Sequence, residues 1–126
     1  MANELKVTTS MKLDNGDLDS FSISSRTQSI TQNTAAPARI DGTQTIGNAA
    51  HEALAVTDLT TIGWAYLRNR DATNYVSIGV DAGGTFYPVI KLKAGEACVV
   101  RFDSAATIYA KADTAAVILE RLIIDD

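Results

Sequence analysis

Two side chains with the most versatile chemistry occur once each in this sequence: His51 and Cys98. A Ser-His-Asp relay would have to run through His51, since the relay needs an imidazole to carry the proton. Its neighbours Ala49, Ala50 and Glu52 offer no nucleophile elbow, and no G-x-S-x-G stretch occurs anywhere. His51 is therefore expected to be an exposed polar residue. Transition-metal centres recruit several imidazole or thiolate ligands, and one of each, far apart in the chain, makes a poor set. Calcium needs only oxygens, and Asp14, Asp17 and Asp19 cluster, but Gly16 does not fit an EF-hand loop. The cluster reads as a charged hairpin turn. Asp81 with Gly83 and Gly84 lacks G-x-G-x-x-G spacing and is followed by a strand pattern, so it also reads as a turn. Asp71, Asp81, Glu96 and Asp113 fall in expected loops, where nothing marks a hydrolytic pair. No catalytic residue, metal ligand or cofactor is expected, and the chain is not read as an enzyme.

Aromatic residues suit a different task. Trp64, Tyr66, Tyr75, Phe86, Tyr87 and Tyr109 lie on or beside apolar stretches, where alternation sends most of them into a core. Tyr75 and Tyr87 stand next to turns and are expected to be exposed. Together with Trp64 they form the candidate set for contact with a partner or a glycan.

Strands must position these residues. Leu5, Val7, Met11 and Leu13 recur at even spacing, the period of a half-buried strand. Asn15-Gly16 follows, a strong hairpin signal because both residues tolerate positive φ. Phe21 and Ile23 then alternate with serines. The reading is a hairpin of strands 3–13 and 19–31 with hydroxyl-rich faces turned to solvent or a polar partner. Residues 32–38 form a loop containing Pro37, and 39–46 form a further strand. Asn48 to Leu54 is the one place where a helical turn fits, given its Ala and Glu content.

Six more strands are read at Ile62–Asn69, Tyr75–Val80, Phe86–Leu92, Ala97–Phe102, Thr107–Lys111 and Ala116–Ile124. Turn residues separate them at intervals of about 8–12 residues, as in sandwiches and barrels. Pro88 lacks an N–H, so its strand should be an edge or carry a bulge. The closing run Val117 to Ile124 is too apolar for an open edge and should be central or covered. The expected fold is an all-β antiparallel sandwich of eight to ten strands with at most one short helical turn. A jelly roll fits the count, and an immunoglobulin-like sandwich fits nearly as well. A single domain, 1–126, is expected, with residues 1–38 as a polar hairpin or arm and 39–126 as the sandwich core.

Composition sets the outer limits. At 126 residues, 46% hydrophobic and 21% charged, the chain can hold one core of its own. The net charge of −4 and scattered basic residues argue against a nucleic-acid partner, which needs clustered Lys and Arg. Cys98, in an apolar run, is expected to be a buried, inert thiol with no internal disulfide to make. No apolar run approaches membrane-span length, and the first thirty residues lack a charged start followed by an apolar stretch.

From residue 60 onward a recurring pattern emerges. It runs through Gly63-Trp-Ala-Tyr-Leu-Arg-Asn69, Asp71-Ala-Thr-Asn-Tyr-Val-Ser-Ile-Gly-Val-Asp81 and Gly84-Thr-Phe-Tyr-Pro-Val-Ile-Lys-Leu-Lys-Ala-Gly-Glu96. Tyr109-Ala-Lys-Ala-Asp113 and Leu119-Glu-Arg-Leu-Ile-Ile-Asp-Asp126 continue it, and Thr45-Ile-Gly47 with Glu52-Ala-Leu54 fits as well. This resembles small structural proteins from the virion modules of tailed bacteriophages and prophages. The resemblance implies a place in the virion, assembled in the bacterial cytoplasm. It implies a decoration or cement role on the head, with the major capsid protein or other virion proteins as partners. It also implies a homo-oligomer, with a trimer favoured. The same resemblance leaves open a receptor- or glycan-binding module of a head or tail fibre, or a neck or tail completion protein. The hydroxyl-rich hairpin is then either an arm lying on a neighbouring subunit or an outer sheet of the same sandwich.

Overall fold

The computed structural model describes residues 5–14, 16, 20–32 and 38–126. Asn15, Asp17 and Asp19 of the expected turn, and Pro37 with most of its loop, lie outside the described residues. Ten strands and no helix are found among the described residues. The chain divides into two compact units, residues 1–35 and 36–126.

The first unit is an antiparallel pair, β1 (Leu5–Leu13) and β2 (Phe21–Ile30). Its turn contains Gly16 at φ 61°, a conformation easy only for glycine. Leu5 faces Ile30 and Val7 faces Gln28, while beyond Thr9 the register slips so that Met11 faces Ile23 and Leu13 faces Phe21. Two β2 residues, Ser24 and Ser25, thus stand against Ser10 alone. That bulge has a purpose legible in the sequence. Phe21 and Ile23 are odd-numbered and Ile30 is even, so a regular strand would place them on opposite faces. The extra residue brings all three to the face that carries Leu5, Met11 and Leu13.

The second unit is a sandwich of eight strands. One sheet runs β3 (Arg39–Ile46), β10 (Val117–Asp125), β5 (Ile62–Asn69), β8 (Ala97–Arg101), in that spatial order. The other runs β4 (Glu52–Ala53), β9 (Tyr109–Ala112), β6 (Val76–Ala82), β7 (Thr85–Leu92). All pairings are antiparallel. The winding is simple: within this unit the first strand pairs with the eighth, the second with the seventh, the third with the sixth and the fourth with the fifth. Successive pairs fall in alternate sheets. Ile46, Leu67, Val76, Ile78, Val117, Leu119 and Ile123 fill the space between them, and all are essentially inaccessible. As the run's apolarity requires, β10 is a central strand, flanked by β3 and β5.

Where at most a helical turn was allowed for, residues 48–50 bend and Glu52–Ala53 add a short strand to β9. Leu54 N–H then donates to the Ile108 carbonyl, extending that pairing. Ala and Glu favour helix only weakly, and an open sheet edge offers the backbone ready partners. Pro88 meets both conditions set for it. Strand β7 is an edge strand, and its register against β6 slips between Ile78 and Gly79, leaving Val89 as the unpaired extra residue. Gly79 makes the slip feasible, because a Cβ there would lie 2.0 Å from the Tyr87 carbonyl oxygen.

Asn69, fully buried, ties one end of the sandwich together. Its side-chain N–H groups donate to the Asn74 and Leu92 carbonyls, and its side-chain oxygen accepts from the Asp71 N–H. Asp71 in turn accepts from the N–H groups of Thr73 and Asn74, which hold its carboxyl below the usual carboxylate range. At the opposite end the buried Asp125 carboxylate accepts from the Thr60 and Thr61 N–H groups. A charged residue also breaks the apolar rule. Arg121 lies on the core side of β10 between Leu119 and Ile123, is 8% exposed, and its buried Nε and Nη1 have no hydrogen-bond partner among the described residues.

Candidate ligand-binding face of the second sheet

Alternation decides what this sheet shows to the outside. Val76 and Ile78 point into the core, so Ser77 between them faces out. Register then builds rows across three strands. Lys111 of β9, Ser77 of β6 and Lys91 of β7 stand side by side. Tyr109, Gly79 and Pro88 form the next row, and Asp81 with Phe86 the one after. The small Ser77 forms a low floor, and the larger Tyr75, Phe86, Pro88, Lys91 and Lys111 stand around it.

Tyr75 and Asp113 close the groove at one end. The Asp113 N–H donates to the Tyr75 carbonyl. The Asp113 carboxylate holds the Tyr75 phenol above its ordinary pKa, by its negative charge first and by a hydrogen bond second. The Lys91 ammonium lies 3.8 Å from the centre of the Tyr75 ring, a cation–π contact. The result is a shallow hollow of about 220 Å³ lined by Tyr75, Ser77, Phe86, Pro88, Lys111 and Asp113. A second hollow of about 360 Å³ shares Tyr75, Ser77 and Pro88 and is bounded by Lys91.

His51 stands at the other end. It is half-buried, not exposed as its sequence neighbours suggested. Its Nε2 pairs with Asp81 Oδ2 at 2.5 Å. Its ring stacks on Phe86 and meets Tyr109 edge-on, with centroids 5.4 Å apart in both cases. The other Asp81 oxygen accepts from the Gly84 N–H, and these two bonds, Gly84 foremost, hold the Asp81 carboxyl below its usual range. Asp81 and Gly84 thus shape the β6–β7 turn, where Gly83 and Gly84 have φ of 64° and 85°. The pair anchors the bend at 48–51 to this turn and orients Phe86.

The three aromatic candidates are not brought together. Tyr75 lines the groove. Tyr87 is exposed but registers against Val80, on the side of the sheet where Val76 and Ile78 lie. Trp64 belongs to the other sheet, facing away from the core into which Ala65 and Leu67 point. Its Nε1 is buried without a hydrogen-bond partner among the described residues. In place of Tyr87 and Trp64 the structure assembles Phe86, Tyr109, Lys91, Lys111 and Ser77 around Tyr75. A signal for part of this was present: Tyr75-x-Ser77 and Tyr109-x-Lys111-x-Asp113 alternate with Val76, Ile78, Ala110 and Ala112.

Cys98 is half-buried against the core, and burial pushes its thiol pKa up. Among the described residues no group of three or more His, Cys, Asp or Glu is placed to hold a metal ion. No helix among them is long and apolar enough to cross a membrane. Compared with family models, with curated proteins and with solved structures, the chain finds no match.

Proposed function

We propose that this chain is a virion structural protein of a tailed bacteriophage, and specifically a decoration protein that binds the major capsid protein on the assembled head. The observation that carries this reading is the apolar face of the N-terminal hairpin. Met11, Leu13, Phe21 and Ile23 sit as two facing pairs and are 59%, 44%, 46% and 53% exposed. A two-stranded ribbon has no third layer of its own to cover such a face, and clustered exposed apolar residues mark interaction surfaces. Covering the exposed half of each side chain is worth about 1 kcal/mol, so about 4 kcal/mol for the four. That corresponds to nearly a thousandfold in affinity.

The sandwich supports the same reading. Its first-with-last pairing in two facing sheets is compatible with a jelly roll, an architecture shared by viral capsid and lectin domains. The sequence resemblance beginning near residue 60 falls on this unit. In the proposed mechanism the protein binds the assembled shell and not its free subunits, so mass action stabilises the shell. A homotrimer would let three hairpins engage at a symmetry axis.

Quantitative mass spectrometry of purified particles tests this proposal. A decoration role predicts hundreds of copies per particle and loss of capsid association in a Phe21→Ser, Ile23→Ser double variant. Absence from particles would overturn the virion reading. A dozen copies or fewer would replace the head role with a neck, tail-completion or fibre role.

A further inference from the structure

We infer that the groove on the outer face of the β4-β9-β6-β7 sheet binds an acidic sugar, a pyranose ring bearing a carboxylate. Three features of the groove converge on that chemistry. Lys91 and Lys111 flank Ser77 in one row. Two strand spacings separate them, about 9–10 Å, so one anionic group lying over Ser77 can reach both. Among the described residues neither lysine has a carboxylate within ion-pair distance. The row thus places two positive charges side by side on a chain of net charge −4, with Asp113 at its end. It favours an anion entering the row, and the Ser77 hydroxyl is placed to donate to it.

The walls distinguish a sugar from a simple anion. Phe86 and Pro88 give the 220 Å³ hollow an apolar side on which the C–H face of a pyranose can lie. Asp113 and Tyr75 line the same hollow, and an acidic acceptor is useful for ring hydroxyls but repels a bare anion. The His51–Asp81 pair stacks against Phe86 and fixes its ring. Sulfate or phosphate would use the two lysines and Ser77 but neither the apolar wall nor the Asp113 end. A hexuronate uses the lysines, the apolar wall and the Asp113 end together. The inference does not depend on where the protein resides.

The test is a titration of the full-length, ¹⁵N-labelled protein at physiological salt with three probes: trigalacturonate, maltotriose and sodium sulfate. Trigalacturonate should give saturable amide shifts at Ser77, Lys91, Lys111 and Asp113. Its apparent affinity should exceed that of maltotriose at least tenfold. Lys111→Gln should weaken it about fivefold or more with an otherwise unchanged spectrum, and Lys12→Gln on the hairpin should leave it unaltered. The inference is overturned if trigalacturonate produces no saturable shifts, if sulfate binds the same residues as tightly, if maltotriose matches it, or if Lys111→Gln has no effect.

Discussion

The hairpin and the sandwich use one sequence device to opposite ends. Both are written in period two. In the sandwich, Leu119 and Ile123 alternate with partly exposed residues and are completely buried by the facing sheet. In the hairpin, Met11, Leu13, Phe21 and Ile23 alternate just as regularly and stay about half exposed. The difference teaches that alternation specifies a side, while burial requires a second layer. The hairpin even spends a bulge to gather its apolar residues on one face. Such a device is hard to explain as a solubility feature, and easy to explain as preparation of a contact.

Substitutions can break or sharpen this contrast. The largest loss is expected at Gly79. Any Cβ there meets the backbone of Tyr87 and Pro88, which cannot rotate aside. Gly79→Ala should cost about 4 kcal/mol or more, or prevent folding, as read by urea denaturation. Leu119→Ala, at the centre of the core, should cost about 3 kcal/mol in the same measurement. Arg121→Met should act in the opposite direction and raise stability by about 1–2 kcal/mol, because it removes buried donors that have no partner. A loss there instead would show that the guanidinium is satisfied in solution. The smallest effect belongs to Phe21→Ser on the hairpin, below about 0.5 kcal/mol. A cost comparable to that of Leu119→Ala would abolish the contrast, since Phe21 would then be a stability residue and not a contact residue.

How far the sequence led follows from the range of the interactions. The strands from 62 to 124, the strand at 39–46 and the hairpin were legible, because alternation and turn residues are local. Pro88 alone marked β7 as either an edge or a bulged strand, since a missing N–H cannot fill a rung of a regular ladder, and the strand is both. At 48–54 the sequence allowed a helical turn at most, and the short strand there was not legible because it depends on β9, more than fifty positions away along the chain. His51 was misjudged for the same reason: Asp81, Phe86 and Tyr109 are all remote in sequence. The groove was half legible. Tyr75 and Ser77 could be assigned to an outer face from the buried Val76 and Ile78 between and beyond them. That Lys111 and Lys91 stand on either side of Ser77 depends on which strands are neighbours, and the order β9-β6-β7 is not written in any one segment.

The kinked edge of β7 has a consequence for crowded solutions. A flat, eight-residue border strand would offer a ladder on which another chain could grow into a fibre. Pro88 removes one rung, and the protruding Val89, 77% exposed, bends the line of those that remain. Molecules can therefore accumulate side by side without templating one another along this border. Association is left to side-chain surfaces, where a partner can be chosen.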